Sequence, residues 1–274
     1  MTATGLLPKG LALILALLAC PCPAPAEGPG GGELRLGFSA LAFDYEEFDD
    51  LGASLDREDG WLPGAVVQYA YQADAWLVDA GLLWLDGEAD YGSPAAQSIT
   101  EEEILDLELR AGWRLSGAER APLHLLAGFG YRTWWRNIRS TASADGVDET
   151  YRWGYGLLGL RGAHQLDRQT CLIADFAVTR TIAPRMKVSF RRVFDDADLD
   201  VGAKNGFRAR LTMERALRPG MTLSLSPWYE YWQLGRSADE PLMSGGIPVG
   251  SVYEPRSESH NFGIQLALGW RFSG

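Results

Sequence analysis

NFGIQLALGWRF, residues 261–272, alternates without a break. Phe262, Ile264, Leu266, Leu268, Trp270 and Phe272 share one side of an extended chain; Asn261, Gly263, Gln265, Ala267, Gly269 and Arg271 share the other. A period of two puts alternate side chains on opposite faces of a strand. One face is wholly apolar and the other small or polar, so the strand separates two media. The question is whether the apolar face meets a protein core or lipid.

The same pattern recurs upstream. Period-2 stretches separated by turn chemistry are expected at about 33–45, 62–72, 75–86, 103–116, 121–136, 150–164, 168–180, 205–216, 220–234 and 259–272. No long amphipathic helix competes with them. Connections alternate in length. Short ones fall at 73–74, 116–121, 165–169 and 217–220; long ones fall at about 46–61, 87–102, 137–149, 181–204 and 235–258. Such alternation fits an all-β, closed, antiparallel up-and-down transmembrane β-barrel of about ten strands, with both termini at the short-turn end. An even strand count lets the sheet close antiparallel and leaves no edge.

Bulk decides which face looks outward. Trp76, Val78, Leu82 and Trp84 share a face, as do Leu105, Leu107, Leu109 and Trp113, and as do Leu125, Phe129, Tyr131 and Trp135. That volume does not fit inside ten strands but is easily placed outside. The opposite faces carry Gly81, Gly112, Gly128, Gly130, Gly263 and Gly269 among polar residues, as a crowded concave wall requires. In hydrocarbon only a closed ladder satisfies a strand backbone, and about 9–11 tilted residues cross it. The alternative is a soluble periplasmic barrel with the apolar face inside, binding an apolar ligand. Amphipathic rings favour the membrane–water boundary, so an aromatic girdle is expected from Trp76, Trp84, Trp113, Trp135, Trp153, Tyr229, Trp270 and Phe272.

Composition sets the frame. The chain has 274 residues, a net charge of −11 and a pI of about 4.8, which excludes nucleic acid as the expected partner. Residues 1–26 read as a secretion signal: Lys9 is followed by an apolar stretch, Leu11 to Ala19, and by Ala24-Pro25-Ala26 as a cleavage site. Leu17-Leu18-Ala19-Cys20 also resembles a lipobox, which would lipidate Cys20. Residues 27–32 form a flexible glycine-rich lead-in and 33–274 the barrel. Removing Lys9 leaves 24 − 36 = −12, with Cys171 as the sole cysteine and no intramolecular disulfide.

These features together make the chain resemble bacterial outer-membrane β-barrel proteins of the small porin-like class. The resemblance implies location in the outer membrane of a Gram-negative cell, with lipid and lipopolysaccharide as surroundings. It also implies insertion by the barrel-assembly machinery, which reads a terminal aromatic residue. Phe272 fills that role, although Ser273 and Gly274 follow it.

Inside the bore a charge network is expected from Asp106, Glu108, Arg110, Arg114, Arg132, Arg208, Arg210, Glu214, Glu230 and Arg271. Its primary reading is a self-paired filling that fixes register; the second is a narrow selective pore. Acidic runs at 44–60, 86–92 and 195–200 are expected in long loops, where divalent cations are possible ligands, though no Ca²⁺-loop spacing is present. The basic run Arg185 to Arg192 suits lipopolysaccharide phosphates or the acidic loops.

Catalysis is not expected, and no cofactor or metal motif appears. Ten strands resemble the omptin surface proteases in strand count alone. That family sets paired carboxylates against an Asp–His pair. Asp86 and Glu88 have the pair spacing and His260 lies near the same rim, but no Asp accompanies the histidine. The expected function is therefore a non-enzymatic outer-membrane barrel with a largely filled polar lumen and acidic extracellular loops, structural, adhesive or narrow-pore in role. An omptin-like surface protease is the alternative.

Overall fold

The computed structural model describes residues 30–73, 75–94, 96–115, 122–142 and 144–273. The signal segment, Cys20 and the whole of the 116–121 turn lie outside the described residues. Thirteen strands follow in chain order: β1 Gly31–Phe48, β2 Ser54–Gln72, β3 Trp76–Gly92, β4 Gln97–Arg114, β5 Leu123–Ile138, β6 Val147–Gln165, β7 Thr170–Ser189, β8 Ala197–Asp200, β9 Asn205–Arg218, β10 Met221–Leu234, β11 Glu240–Ser244, β12 Ile247–Val252 and β13 Arg256–Ser273. Ten of them close an antiparallel barrel. Neighbours in sequence pair around the wall, β9 follows β7, β13 follows β10, and β13 returns to β1 through pairs such as Phe38 with Leu266. Short β8 extends the upper end of β7, and β11–β12 form a separate hairpin.

Every alternating stretch expected from the sequence is a barrel strand, and most run further than expected at the long-connection end. The acidic run 44–60 is not a long loop. It completes β1 and opens β2, joined by a turn at 49–53. Likewise 86–92 finishes β3, and 97–102 begins β4. Apolar alternation disappears there because both faces have left hydrocarbon, while the backbone ladder continues. At the other end, Gly31 and Gly32 of the lead-in already belong to β1.

The apolar rows point outward. Leu36, Phe38, Trp61, Val67, Leu107, Phe129, Ile264 and Leu266 are all exposed, Phe38 by 79 %. On β3 the outward row runs Trp76, Val78, Ala80, Leu82, Trp84 and then turns to Asp86, Glu88 and Asp90. On β4 it runs from Trp113 up to Leu105 and then meets Glu103 and Glu101. On β13 it runs from Trp270 to Phe262 and then meets His260. These spans of about nine residues match one hydrocarbon crossing. Arg152 on β6 and Arg180 on β7 mark the same boundary on the opposite side. Above it the strands rise clear of the membrane. A soluble barrel with an apolar interior is ruled out by this arrangement.

Two close approaches explain lumen glycines. A Cβ on Gly130 would lie 2.2 Å from the Tyr155 ring, and one on Gly263 would lie 2.2 Å from the Trp228 indole. Glycine here makes room for rings rather than for long ionic side chains.

Candidate functional site

The bore has two storeys. Within the membrane-spanning part paired ions share the inward face with residues such as Val66, Leu77, Leu126 and Thr212, and together they line a cavity of about 1630 Å³ that includes residues of the short-turn end such as Gly30, Gln169 and Phe272. Strand register stacks opposite charges on neighbouring strands. Arg110 stands beside Asp79, and Asp106 beside Arg132.

Every carboxylate of this lower set meets two arginines. Asp106 accepts from Arg132 at 2.7 Å and from Arg208 at 3.0 Å. Glu230 accepts from both terminal nitrogens of Arg132 at 2.9 Å, with Arg208 at 3.3 Å. Glu108 meets Arg208 at 2.5 Å and Arg110 at 3.3 Å. Asp79 and Asp175 are each shared between Arg110 and Arg161. Glu33 and Glu214 are each shared between Arg35 and Arg271. Forked guanidinium donors suit such bridging better than ammonium groups would.

Of the ten residues expected in the lumen network, eight join these pairs: Asp106, Glu108, Arg110, Arg132, Arg208, Glu214, Glu230 and Arg271. Arg114 and Arg210 line the cavity, yet neither has a carboxylate within 4.0 Å among the described residues. Glu33, Arg35, Asp79, Arg161 and Asp175 complete the network. The signal for Arg161 and Asp175 was the opposite charge at one register position on adjacent strands.

The upper storey, above the apolar belt, is packed. Leu41, Phe43, Tyr45, Leu62, Leu85, Ile104, Trp134, Tyr151, Trp153, Tyr155 and Trp232 form a buried cluster inside the barrel. Trp134 stacks with Tyr151 at 4.9 Å between centroids and meets Tyr45 edge-on at 5.0 Å. Trp153 is therefore not a girdle residue: it is 3 % exposed, faces the bore and meets Trp232 edge-on at 5.8 Å. Its strand carries leucines on both faces at 157–160. The lumen parity is set by Arg161 opposite Asp175, which places Tyr151, Trp153 and Tyr155 inside. The other expected girdle rings do not enter this cluster. Trp76 faces Trp113 across the β3–β4 ladder at the short-turn rim, and Phe272 is exposed near it. Trp84 donates to Glu103 at 2.9 Å at the upper boundary. Tyr229 bonds His260 Nδ1 at 2.8 Å, while Trp135 and Trp270 are half-buried.

Arg136 centres the top of the plug at 2 % exposure. It donates to Glu149 at 2.7 Å, reaches Glu58 at 3.0 Å, Glu47 at 3.5 Å and Glu102 at 3.6 Å, and lies 4.5 Å over the Tyr45 ring. Trp134 donates to Glu102, and Tyr151 donates to Glu254 at 2.6 Å. One guanidinium cannot neutralise this many buried carboxylates. Burial pushes Glu47 and Glu149 up to about 7 and Asp56 up to about 6; it holds Glu102 and Glu254 well above the usual range. Burial thus favours the protonated form of the plug carboxylates. Among the described residues no three His, Cys, Asp or Glu side chains converge as a metal site.

The protease trio does not assemble. Asp86 and Glu88 point outward on β3, where Glu88 pairs with Arg139 at 2.5 Å. His260 points outward on β13, with β2 and β1 lying between β3 and β13 around the wall.

A closed ten-strand antiparallel sheet with an apolar belt outside and paired ions inside is a transmembrane β-barrel of the outer-membrane type, and the chain has that fold. No protein-family model matches it, and no curated protein does. Among solved structures it is similar to the outer membrane protease OmpT from Escherichia coli. The TM-score is 0.62 at 12% identity, covering 89% of this chain and 96% of that one. It also matches the outer membrane protein OprG from Pseudomonas aeruginosa with a TM-score of 0.43 and 12% identity, covering 91% and 99%. At this identity the likeness to OmpT is one of fold alone.

Proposed function

We propose that this protein is a non-enzymatic, non-conducting outer-membrane barrel that acts through its extracellular extension. The observation that supports this reading is the plug. The Phe43–Trp134–Tyr151–Trp232 packing, topped by Arg136 and its carboxylates, fills the bore where the wall rises above the membrane. A solute entering from the short-turn end meets that packing before it can leave. The adhesive or structural work then falls to the rim: the β11–β12 hairpin with exposed Ile247 and Val249, and the acidic outer wall around Asp86, Glu88 and Asp90. Arg152, Arg180 and Arg185 face outward just above the belt, in position for lipopolysaccharide phosphates. Planar-bilayer recording is the test. The reading predicts a silent bilayer after insertion; reproducible unit steps from the wild-type barrel would overturn it.

A further inference from the structure

The lower storey holds seven carboxylates bridged by six arginines; Arg210 and Arg114 bring the arginines to eight, so one positive charge is in excess and two guanidiniums have no ion-pair partner among the described residues. Arg210 and Arg114 line the same cavity. They occupy the ends of one register row that crosses five neighbouring strands: Arg114, His124, Arg161, Asp175, Arg210. Four of the ten strand steps around the wall separate the two arginines, with Arg114 at the short-turn end of β4 and Arg210 midway along β9. His124 belongs to the row at 3 % exposure, and its Nε2 has no hydrogen-bond partner. Arg114 Nε is also buried without a partner. The charges around Arg210 include Arg110 and Arg208 as well as Asp175 and Glu108, and both of those carboxylates are already engaged.

Three cationic or donor-capable side chains line one cavity and are unfinished as a structural network, with Arg114 Nε and His124 Nε2 buried and unpartnered. The carboxylates that would finish it are absent among the described residues, whereas the cavity has volume for a ligand. Guanidinium forks match tetrahedral oxyanions as well as carboxylates. We propose that the periplasmic half of the bore binds a compact multivalent oxyanion of the phosphate or pyrophosphate class, gripped between Arg210 and Arg114 with His124 beside them. The ligand enters past the short turns and stops beneath the aromatic plug. This site is independent of whether the plug blocks conductance, because it lies wholly on the periplasmic side of it.

Calorimetric titration of the detergent-solubilised barrel with pyrophosphate, at constant ionic strength set by sodium chloride, tests the proposal. The wild type binds saturably with one site. Arg210→Gln and Arg114→Gln each weaken binding by roughly tenfold or more, as loss of a charge-assisted pair requires, while Arg210→Lys recovers part of the loss. Arg185→Gln, on the outer wall, leaves binding unchanged. Folding of each variant is checked by sheet circular dichroism, and if one fails to fold, the wild type and the other variants decide. Absence of saturable binding to the wild type, or wild-type affinity in both glutamine variants, overturns the site.

Discussion

At the scale of the residue, ion pairing and close packing set the stakes. Arg132 is almost fully buried and bridges Asp106 and Glu230. Replacing it with methionine leaves Arg208 alone to neutralise two desolvated carboxylates. The expected cost is about 3–5 kcal/mol in denaturant unfolding from micelles; Arg132→Met with Glu230→Gln in the same chain should recover a large part of it. Gly263 is constrained by packing instead. Its missing Cβ lies where the Trp228 indole sits, so Gly263→Val forces ring or backbone to move and is expected to destabilise by about 1–3 kcal/mol. An unchanged unfolding midpoint in Gly263→Val would show that the ring is not held there.

At the scale of the element, each strand is a segment read by two solvents in turn. Leu266 on β13 faces Phe38 on β1 at mid-belt. Leu266→Arg should cost about 2–4 kcal/mol, the penalty for a cation at the bilayer midplane, whereas Asp86→Arg above the belt should cost little. Comparable losses at both positions would remove the boundary drawn between Trp84 and Asp86. The same boundary explains what was legible in the sequence. Strand number, order, closure and facing could be read wherever one side met hydrocarbon, as in residues 261–272. Strand ends could not, because residues such as 44–48 and 86–92 extend the ladder into water with no apolar row to announce it. The inward side of the upper storey was hidden for a related reason. Trp153 reads from the sequence as a girdle ring: aromatic character alone does not distinguish a ring at a membrane boundary from one in a plug, and leucines on both faces of 157–160 blur the parity. The paired charges were visible as residue types. Which arginines lacked partners depended on three-dimensional bridging that no spacing reveals.

At the scale of the whole molecule, the plug links stability to pH. Glu47, Asp56 and Glu149 lie above the membrane-spanning belt, and burial raises each from the ordinary carboxylate range to about 6 or 7. The folded barrel thus binds more protons than the unfolded chain between about pH 4 and 7. Their contribution is complete below that window and lost as pH rises through it. Unfolding in micelles should therefore be harder at pH 5 than at pH 8, by on the order of 1–3 kcal/mol. Glu102→Gln, which keeps an acceptor for Trp134, should raise stability at pH 8 and flatten the slope; a slope of the opposite sign would contradict the proton-holding plug. All of this rests on which side of the wall faces lipid. Nitroxide labels placed singly from Asn261 to Trp270, in the barrel reconstituted into bilayers, measure that directly through oxygen accessibility. The account predicts high oxygen exposure at 262, 264, 266 and 268 and low exposure at 261, 263, 265 and 267. The inverse pattern, or no alternation, would contradict it.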